Sequence, residues 1–289
     1  MESMKVLSLG WGVQSFTLAA MAALGEIERP DVAIHADTLH EASGTYEFAR
    51  NYTPWLEERG IRVVTVKNPL GGIWPTLQKT GQTHIPAFTK ATNDAVRLVP
   101  EVEWTWDENG EGFEYETGRM IEVKPRSDGQ LKRSCTHRWK IVPIRRWLQA
   151  NRNGRQIEQW IGISMDEYQR MKDSGVKYIT NRWPLIEKRM TRVGCVAWLE
   201  RHGLEVPQKS SCTFCPFHDR QTWREIKAGS SGDWAEAVQV DAAIRTMRPP
   251  FDLFLHPSRK PLPLVDFSTP EERGQYNFWN EECTGICGV

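Results

Sequence analysis

The stretch KVLSLGWGVQSFTLAAMAAL, residues 5–24, decides the fold of this chain. Its first five residues form a short apolar run that predicts a strand, and residues 13–24 are rich in Ala, Leu and Met, which favours a helix. Two more apolar runs, 32–36 and 62–66, flank a predicted helix at 46–58. Strands and helices that alternate at this spacing indicate βαβ units, and therefore a parallel sheet.

The rest of the chain continues this alternation with one interruption. Residues 68–130 contain scattered Gly, Pro and Trp, which predicts an irregular insertion, either a lid or a small β element. We expect an α/β domain over residues 1–218 and a C-terminal extension over 219–289, with one or two helices before an extended tail. Three further elements are predicted between them: a helix at 139–150, a strand at 159–163 and a helix at 191–203.

The composition indicates a globular protein. Of the 289 residues, 39% are hydrophobic and 26% are charged, which is too apolar for a disordered chain. No apolar run approaches the ~18–20 residues that a membrane span needs. The first residues lead into a strand and do not resemble a signal peptide, so we expect a cytoplasmic protein. The six cysteines are then expected to be ligands or reactive thiols, not disulfides.

The charges balance overall but are segregated along the chain. The 37 basic and 37 acidic side chains give a formal net charge of zero, which argues against a wholly basic coat for nucleic acid. Residues 101–116 carry seven acids and no base, whereas 124–146 carry eight bases and one acid. A second basic cluster lies within 182–192. Each block is either solvated surface or a local contact for a charged partner.

The loop after the first strand has the residues of an anion-binding turn. Gly10 and Gly12 let the backbone turn tightly, and the helix N-terminus that follows adds positive charge that suits phosphate. Ser8 and Ser15 can add hydroxyl donors. A Walker P-loop is excluded because no Gly-Lys-Ser/Thr follows. A Rossmann dinucleotide loop with Asp37 as its ribose-binding acid stays an alternative, as does a glycine turn without a ligand.

This loop resembles the pyrophosphatase loop, SGGxxS, of the PP-loop family, which includes the adenine-nucleotide α-hydrolases and the PAPS reductases. Trp11 replaces a small residue of that pattern, and Gln14 replaces the Asp that is common in ATP-using members. Residues 35–48, HADTLHEASGTYEF, are similar to the DTG…PETYEF segment of PAPS reductases. The resemblance implies an open, mostly parallel sheet with helices on both faces, and an adenine nucleotide held by the loop (Gln14 included), by Asp37 and by Thr38.

Asp37 and Thr38 have a physical reason to bind ligand as well. An acid and a hydroxyl at the carboxyl end of a strand face the crevice in which open α/β sheets bind ligands. We expect Asp37 to bind a ribose hydroxyl or Mg²⁺; its alternative role is to cap the helix that follows.

Residues 133–144, RSCTHRWKIVPI, form the most specific stretch. They resemble the C(C)xxRKVxPL segment of APS and PAPS reductases and related sulfur-insertion enzymes, whose Arg and Lys face nucleotide phosphates or sulfate. The resemblance implies these roles for Arg138 and Lys140, because a guanidinium fork and an ammonium point charge both suit anions. Cys135 stands where many APS reductases have two adjacent cysteines.

Residues 162–170, GISMDEYQR, resemble the G(I/V)RxDES..R segment of the same family. The resemblance implies that Gly162 lies at the nucleotide, that Asp166 orients a base or Mg²⁺, and that Arg170 contacts an anion. Residues 184–204 resemble the PL..WT..DVW.YL..H.LP segment that follows in the family, and we expect Thr191 to cap a helix there.

Cys212 and Cys215 form a CxxC pair, which presents two thiolates to one metal centre from a tight turn. The family has GCxxCT at the matching place, and there the pair ligates a [4Fe–4S] cluster together with the segment around Cys135. Cys195 is the predicted fourth ligand, and an open iron site that binds substrate sulfur is the other outcome. The pair could instead hold Zn²⁺ as half of a zinc knuckle, or act as a redox dithiol.

The tail, NEECTGICGV, carries two more cysteines. Its Glu-Cys is similar to the ECGxH tail whose cysteine is the nucleophile of PAPS reductases, which implies that role for Cys283. Cys287 follows four residues later, and the His is absent. Two such thiols could accept sulfur as a persulfide, resolve a disulfide or close over the cluster; a disordered tail is the alternative.

Two reactions fit these features. In the first, ATP adenylates an oxygen of a nucleic acid such as tRNA or DNA, and sulfur supplied by a donor such as a cysteine desulfurase displaces AMP. In the second, Cys283 attacks the sulfur of bound APS or PAPS, and thioredoxin or another thiol releases sulfite. Cys287, the insertion and the basic stretches favour the first, whereas the Glu-Cys of the tail favours the second. A non-catalytic nucleotide sensor, suggested by Trp11 and Gln14, is the third class.

Overall fold

A computed structural model describes residues 2–81, 84–92, 97–106, 112–123 and 129–268. The strands are β1 (Met4–Ser8), β2 (Val32–Asp37), β3 (Val63–Lys67), β4 (Phe88–Ala91), β5 (Arg97–Trp106), β6 (Gly112–Val123), β7 (Gly129–Gln130), β8 (Ile157–Ile161), β9 (Ile179–Arg182) and β10 (Phe251–Phe254). The α-helices are α1 (Val13–Ala23), α2 (Ser43–Glu57), α3 (Ile73–Thr80), α4 (Val142–Asn151), α5 (Pro184–Glu187), α6 (Arg192–Arg201), α7 (Arg220–Ala228) and α8 (Ser231–Ile244). A π-helix spans Thr136–Ile141, and 3₁₀ turns span Met165–Arg170 and Leu262–Leu264.

The central sheet has five strands in the order β3-β2-β1-β8-β9, and every pair is parallel. All five carboxyl ends therefore lie at one edge. The chain runs from β1 to β2 and β3 on one side, and later to β8 and β9 on the other. The connections diverge between β1 and β8, which is where open sheets of this kind form a ligand crevice. The predicted α/β class is confirmed.

Helices cover both faces of the sheet because alternate strand residues point to opposite sides. On one face Leu7 packs with Phe16 of α1, Phe48 of α2 and Trp198 of α6. On the other face Val6 packs with side chains that include Leu148 of α4. The strands that carry the loops at the carboxyl edge are thus packed against helices on both faces of the sheet.

A third core joins the insertion to the C-terminal extension. Trp74 of α3, Trp139 of the π-helix, Trp223 of α7 and Val240 of α8 are all buried in it. The segment predicted as an irregular insertion contains α3 and the antiparallel strands β4 to β7. The strands agree with the small β element that was one of the two expectations, whereas α3 was not predicted, because the Gly and Pro around it weaken the periodic pattern of apolar residues.

Among the described residues, no helix is both long enough and apolar enough to cross a membrane.

Candidate functional site

The loop after β1 is shaped by its own hydrogen bonds. The Gly10 N–H donates to Ser15 Oγ at 3.1 Å, and that hydroxyl donates to the Gly12 carbonyl at 3.2 Å. Trp11 takes a left-handed conformation, with φ of 58°, and its ring is buried against Phe16. The indole that replaces a small residue therefore points into the core, away from the loop's outer face. Ser8 accepts a hydrogen bond from the Gln159 amide at 2.8 Å.

Gly162, which follows β8, lies against the start of α1. A Cβ built on Gly162 would come within 2.8 Å of the Ser15 nitrogen, 3.0 Å of Ser15 Cα and 3.1 Å of the Gln14 carbonyl carbon. All three are backbone atoms that cannot rotate away. A side chain at this position would therefore displace the loop. Close packing against backbone atoms, and not an unusual backbone conformation, is the reason that glycine fits here.

If the loop holds the phosphates of ATP, as the family resemblance implies, Gly162→Ala is expected to weaken ATP binding by about tenfold, which corresponds to ~1.4 kcal/mol, because the loop must shift. Overpacking of this kind also costs about 1–3 kcal/mol of stability. Calorimetric titration with ATP and urea denaturation measure the two effects. Gly232→Ala is the matched control, since its Cβ would lie 3.6 Å from the nearest atom, Ser230 Oγ, in an open helix position. Unchanged ATP affinity in Gly162→Ala would place the nucleotide elsewhere.

Gln14 connects this loop to the turn after β8. Its amide nitrogen donates to Ser164 Oγ at 3.4 Å and to Glu167 Oε2 at 3.2 Å. A glutamine can make these contacts to a hydroxyl and a carboxylate, whereas the Asp of the family pattern would face Glu167 with a like charge. Gln14 therefore holds two segments of the site together.

Asp37 lies at the end of β2 and faces the same edge. Its Oδ1 accepts hydrogen bonds from the Leu39 N–H and the Tyr46 hydroxyl, both at 2.8 Å, and Oδ2 lies 3.4 Å from Lys67 Nζ. Burial raises the pKa of this carboxyl, but the two hydrogen bonds and Lys67 lower it by more than burial raises it. The pKa of Asp37 is therefore below the usual value. Asp37 is ionised at neutral pH. Helix α2 begins at Ser43, so Asp37 is not its cap.

The next residues build a buried polar cluster around Glu41, whose side chain is 0% exposed. Lys140 Nζ donates to Glu41 Oε1 at 2.9 Å, and the Thr38 and Ser210 hydroxyls donate to the same carboxylate at 3.3 Å. The Thr38 oxygen also lies 3.3 Å from Cys212 Sγ. Glu41 was not singled out from the sequence, although it stands within the stretch 35–48.

The π-helix sends its two predicted anion-binding side chains to different places. Burial lowers the pKa of Lys140, but the Glu41 carboxylate and the neighbouring cysteines raise it more, so its ammonium stays charged. Arg138 is exposed, with Nη1 3.4 Å from His84 Nε2. Lys140 thus points into the buried part of the site, and Arg138 lies at its surface.

Three of the predicted ligands come together and one does not. The Cys215 N–H donates to the Cys212 carbonyl at 3.1 Å, which closes the CxxC turn, and the pKa of Cys215 is raised by burial and then by Cys135 nearby. Burial likewise raises the pKa of Cys212. Cys195 lies in the core under α1 at 0% exposure, where burial raises its pKa to about 11. Its neighbours there include Thr17, not the other cysteines.

The metal centre that the resemblance implied stays a prediction. Across the described part of the chain, no group of three or more His, Cys, Asp and Glu side chains is arranged to hold a metal ion. Cys195 does not join Cys135, Cys212 and Cys215. Cys283 and Cys287 lie outside the described residues.

Asp166 and Arg170 lie in the 3₁₀ turn beside Gln14. Asp166 Oδ1 accepts the Arg192 N–H at 2.9 Å, where α6 begins. Arg170 is 62% exposed and pairs with Glu167 at 2.5 Å. Thr191 accepts the Gly194 N–H at 3.0 Å, which confirms the predicted cap. Asp166 thus helps to hold α6 in place.

Only some of the basic side chains in the second basic stretch, 182–192, are available to bind an external anion. Arg182 is enclosed by three carboxylates, those of Glu28, Glu158 and Glu187, so it is not available to an external anion. Lys188 is exposed. In the first stretch, Lys124 and Arg126 lie outside the described residues.

Helix α8 contributes contacts that the sequence did not indicate. Glu236 accepts from His40 Nδ1 at 2.7 Å and from the Thr213 hydroxyl at 2.5 Å, while the Trp74 N–H donates to His40 Nε2 at 3.2 Å. These partners place the imidazole proton on Nδ1. Glu236 thereby ties the β2 loop to the CxxC turn. The residues are 196 positions apart, and no local pattern links them.

No protein-family model and no curated protein matches the chain. Among solved structures, the chain is similar to the crystal structure of phosphoadenylyl-sulfate (PAPS) reductase from Candida auris in its phosphate complex. The two are 11% identical, the match covers 72% of this chain and 76% of that chain, and the TM-score is 0.43. A similarity of this extent carries no argument about the reaction.

Proposed function

We propose that the chain is an ATP-dependent sulfurtransferase that acts on a nucleic acid. An oxygen of the acceptor attacks the α-phosphorus of ATP, pyrophosphate leaves, and the acceptor is adenylated. A sulfur carried on a cysteine then attacks the activated carbon or phosphorus, and AMP leaves. Adenylation makes a poor leaving group into a good one, which is the reason for spending ATP.

The observation that carries the proposal is the position of Cys212. Its thiol lies 3.3 Å from the hydroxyl of Thr38, one residue after Asp37, at the edge of the sheet where the β1 loop turns. Lys140 and Glu41 adjoin it. A sulfur on Cys212 and a nucleotide on the loop would therefore meet in one crevice.

The nucleotide is assigned to the β1 loop and its neighbours. The N–H groups at the start of α1 and the helix dipole suit the phosphates. The ionised Asp37 suits a ribose hydroxyl, because its Oδ2 accepts no hydrogen bond from the described residues closer than Lys67 Nζ at 3.4 Å and has a lone pair left for the hydroxyl. Mg²⁺ would accompany the ATP phosphates and neutralise charge on the leaving pyrophosphate.

The sulfur step uses the cysteine pair. A donor such as a cysteine desulfurase places a persulfide on Cys212, and the charged Lys140 stabilises its anionic terminal sulfur. That sulfur bonds to the activated acceptor while AMP departs. The sulfur of the Cys215 thiol then attacks Cys212 Sγ and breaks the S–S bond, its proton passes to the departing product sulfur, and a Cys212–Cys215 disulfide is left. An external thiol such as thioredoxin supplies the two electrons that reduce it.

APS or PAPS reduction is the second candidate, because Glu282 and Cys283 resemble the nucleophile tail of that family. Lys140 would serve this reaction equally, as a partner for the sulfate. The two candidates differ in which cysteine is essential and in which nucleotide is consumed.

Turnover of ATP, APS and PAPS by anaerobically purified protein tests the proposal. We expect pyrophosphate release from ATP that rises when tRNA or DNA is added, and sulfur in the recovered nucleic acid by mass spectrometry. Sulfite from APS or PAPS that is lost in Cys283→Ser would replace the proposal with the reductase. Nucleotide binding without any turnover would favour the sensor. Iron and zinc analysis, with absorbance near ~400 nm, tests the predicted cluster on the same sample.

A further inference from the structure

A patch of exposed apolar and basic side chains borders the nucleotide loop. Tyr168 is 64% exposed and Val193 is 77% exposed, although aromatic and branched side chains of this size are usually buried. We call this patch the rim surface. Its members are Met165, Tyr168, Lys172, Lys188, Arg189 and Val193.

Hydrogen bonds bring the 3₁₀ turn beside Met190 and beside the start of α6, and Lys172 follows that turn by two residues in the sequence. The Met165 N–H donates to the Met190 carbonyl at 2.9 Å, which places the 3₁₀ turn next to the segment that holds Lys188 and Arg189. The Glu167 carboxylate is the partner of Gln14 in the nucleotide loop, and Tyr168 is the next residue along. The rim surface therefore lies at the mouth of the proposed crevice.

The rim surface carries three basic side chains, which outnumber its unpaired acids. Lys172, Lys188 and Arg189 are exposed and form no ion pair within the described part of the chain. Neighbouring carboxylates are already engaged: Glu167 pairs with Arg170, and Glu187 pairs with Arg182. Two exposed acids adjoin the rim surface: Asp173, beside Lys172, and Asp166, whose Oδ1 accepts the Arg192 N–H.

We propose that the rim surface binds a single-stranded segment of nucleic acid, with a base stacked on Tyr168 and phosphates beside Lys188 and Arg189. Aromatic rings among basic groups suit this ligand, because every base has a face to stack and every nucleotide a negative charge. A duplex hides its base faces, so it cannot use Tyr168. This rests on the proposed function for the identity of the acceptor, and it places the acceptor's reacting nucleotide within reach of the crevice.

Fluorescence anisotropy with labelled single strands of about 15 nucleotides, RNA and DNA, tests the inference on the full chain. We expect Tyr168→Ala to weaken binding by about tenfold and Tyr168→Phe to keep it. Lys188→Glu should weaken binding and reduce the salt dependence by about one phosphate contact. Leu264→Ala and Lys90→Glu, at other exposed positions, should stay within about twofold of the unsubstituted chain.

Equal affinity for single strands and the matching duplex would overturn the inference, as would wild-type affinity in Tyr168→Ala. Binding of an acidic protein segment in place of any oligonucleotide would overturn it too. The test separates it from the proposed function. ATP-dependent thiolation that survives Tyr168→Ala with unchanged affinity counts against the rim surface alone. Binding that depends on Tyr168, without any thiolation, counts against sulfur transfer alone.

Discussion

Cys212→Ser is expected to abolish sulfur transfer to the nucleic acid, with a loss of at least about 10³-fold, while ATP binding and pyrophosphate release persist. The hydroxyl of serine keeps the hydrogen bond to Thr38 but cannot carry a persulfide, so only the second half of the reaction is lost. Mass spectrometry of the recovered nucleic acid measures the sulfur, and a coupled assay measures pyrophosphate. Sulfur transfer near the wild-type rate would remove Cys212 from the chemistry.

Cys195→Ala gives the informative comparison. Cys195 is fully buried in the core under α1, which predicts a modest loss of stability and full activity. The four-cysteine ligand set inferred from the family resemblance predicts the opposite, loss of iron and of activity together. A Cys195→Ala protein that keeps the wild-type iron content and activity would remove Cys195 from the predicted ligand set.

Short-range patterns were sufficient for three of the five strands of the sheet, whereas β8 was predicted two residues late and β9 was not predicted. The apolar runs that predicted strands at 5–9, 32–36 and 62–66 lie within two residues of β1, β2 and β3, and the predicted cap Thr191 caps α6. Strand periodicity and capping depend on neighbours within about four residues, so one sequence contains the information.

The contacts within the site were less predictable because they join distant segments. Arg182 was placed in a basic surface, yet Glu28 and Glu158 reach it from other strands and loops. Cys195 was placed with the CxxC pair because it is near in sequence, but α6 turns it to the opposite core. Burial and partners of a side chain depend on which helix face packs inward, and a motif does not specify that.

Lys140→Met is expected to lower the free energy of unfolding by about 3 kcal/mol, the lower end of the ~3–5 kcal/mol observed when one partner of a buried ion pair is removed. The lower end applies because 34% of the Lys140 side chain is exposed. Methionine fills the same space, so the loss comes from the Glu41 carboxylate, which is left 0% exposed without a positive partner. Urea denaturation measures the change.

The double variant Glu41→Gln/Lys140→Met separates charge from packing. A neutral amide at position 41 can still accept hydrogen bonds from Thr38 and Ser210, so no uncompensated charge is buried. We expect the double variant to recover at least half of the stability lost in Lys140→Met, which is a coupling that independent sites do not show. The double variant should not recover sulfur transfer, because the Lys140 ammonium beside Cys212 is absent from the double variant and from Lys140→Met alike. A double variant as unstable as the sum of its two single variants would mean that the pair contributes through packing, and that Lys140 is free to serve another anion.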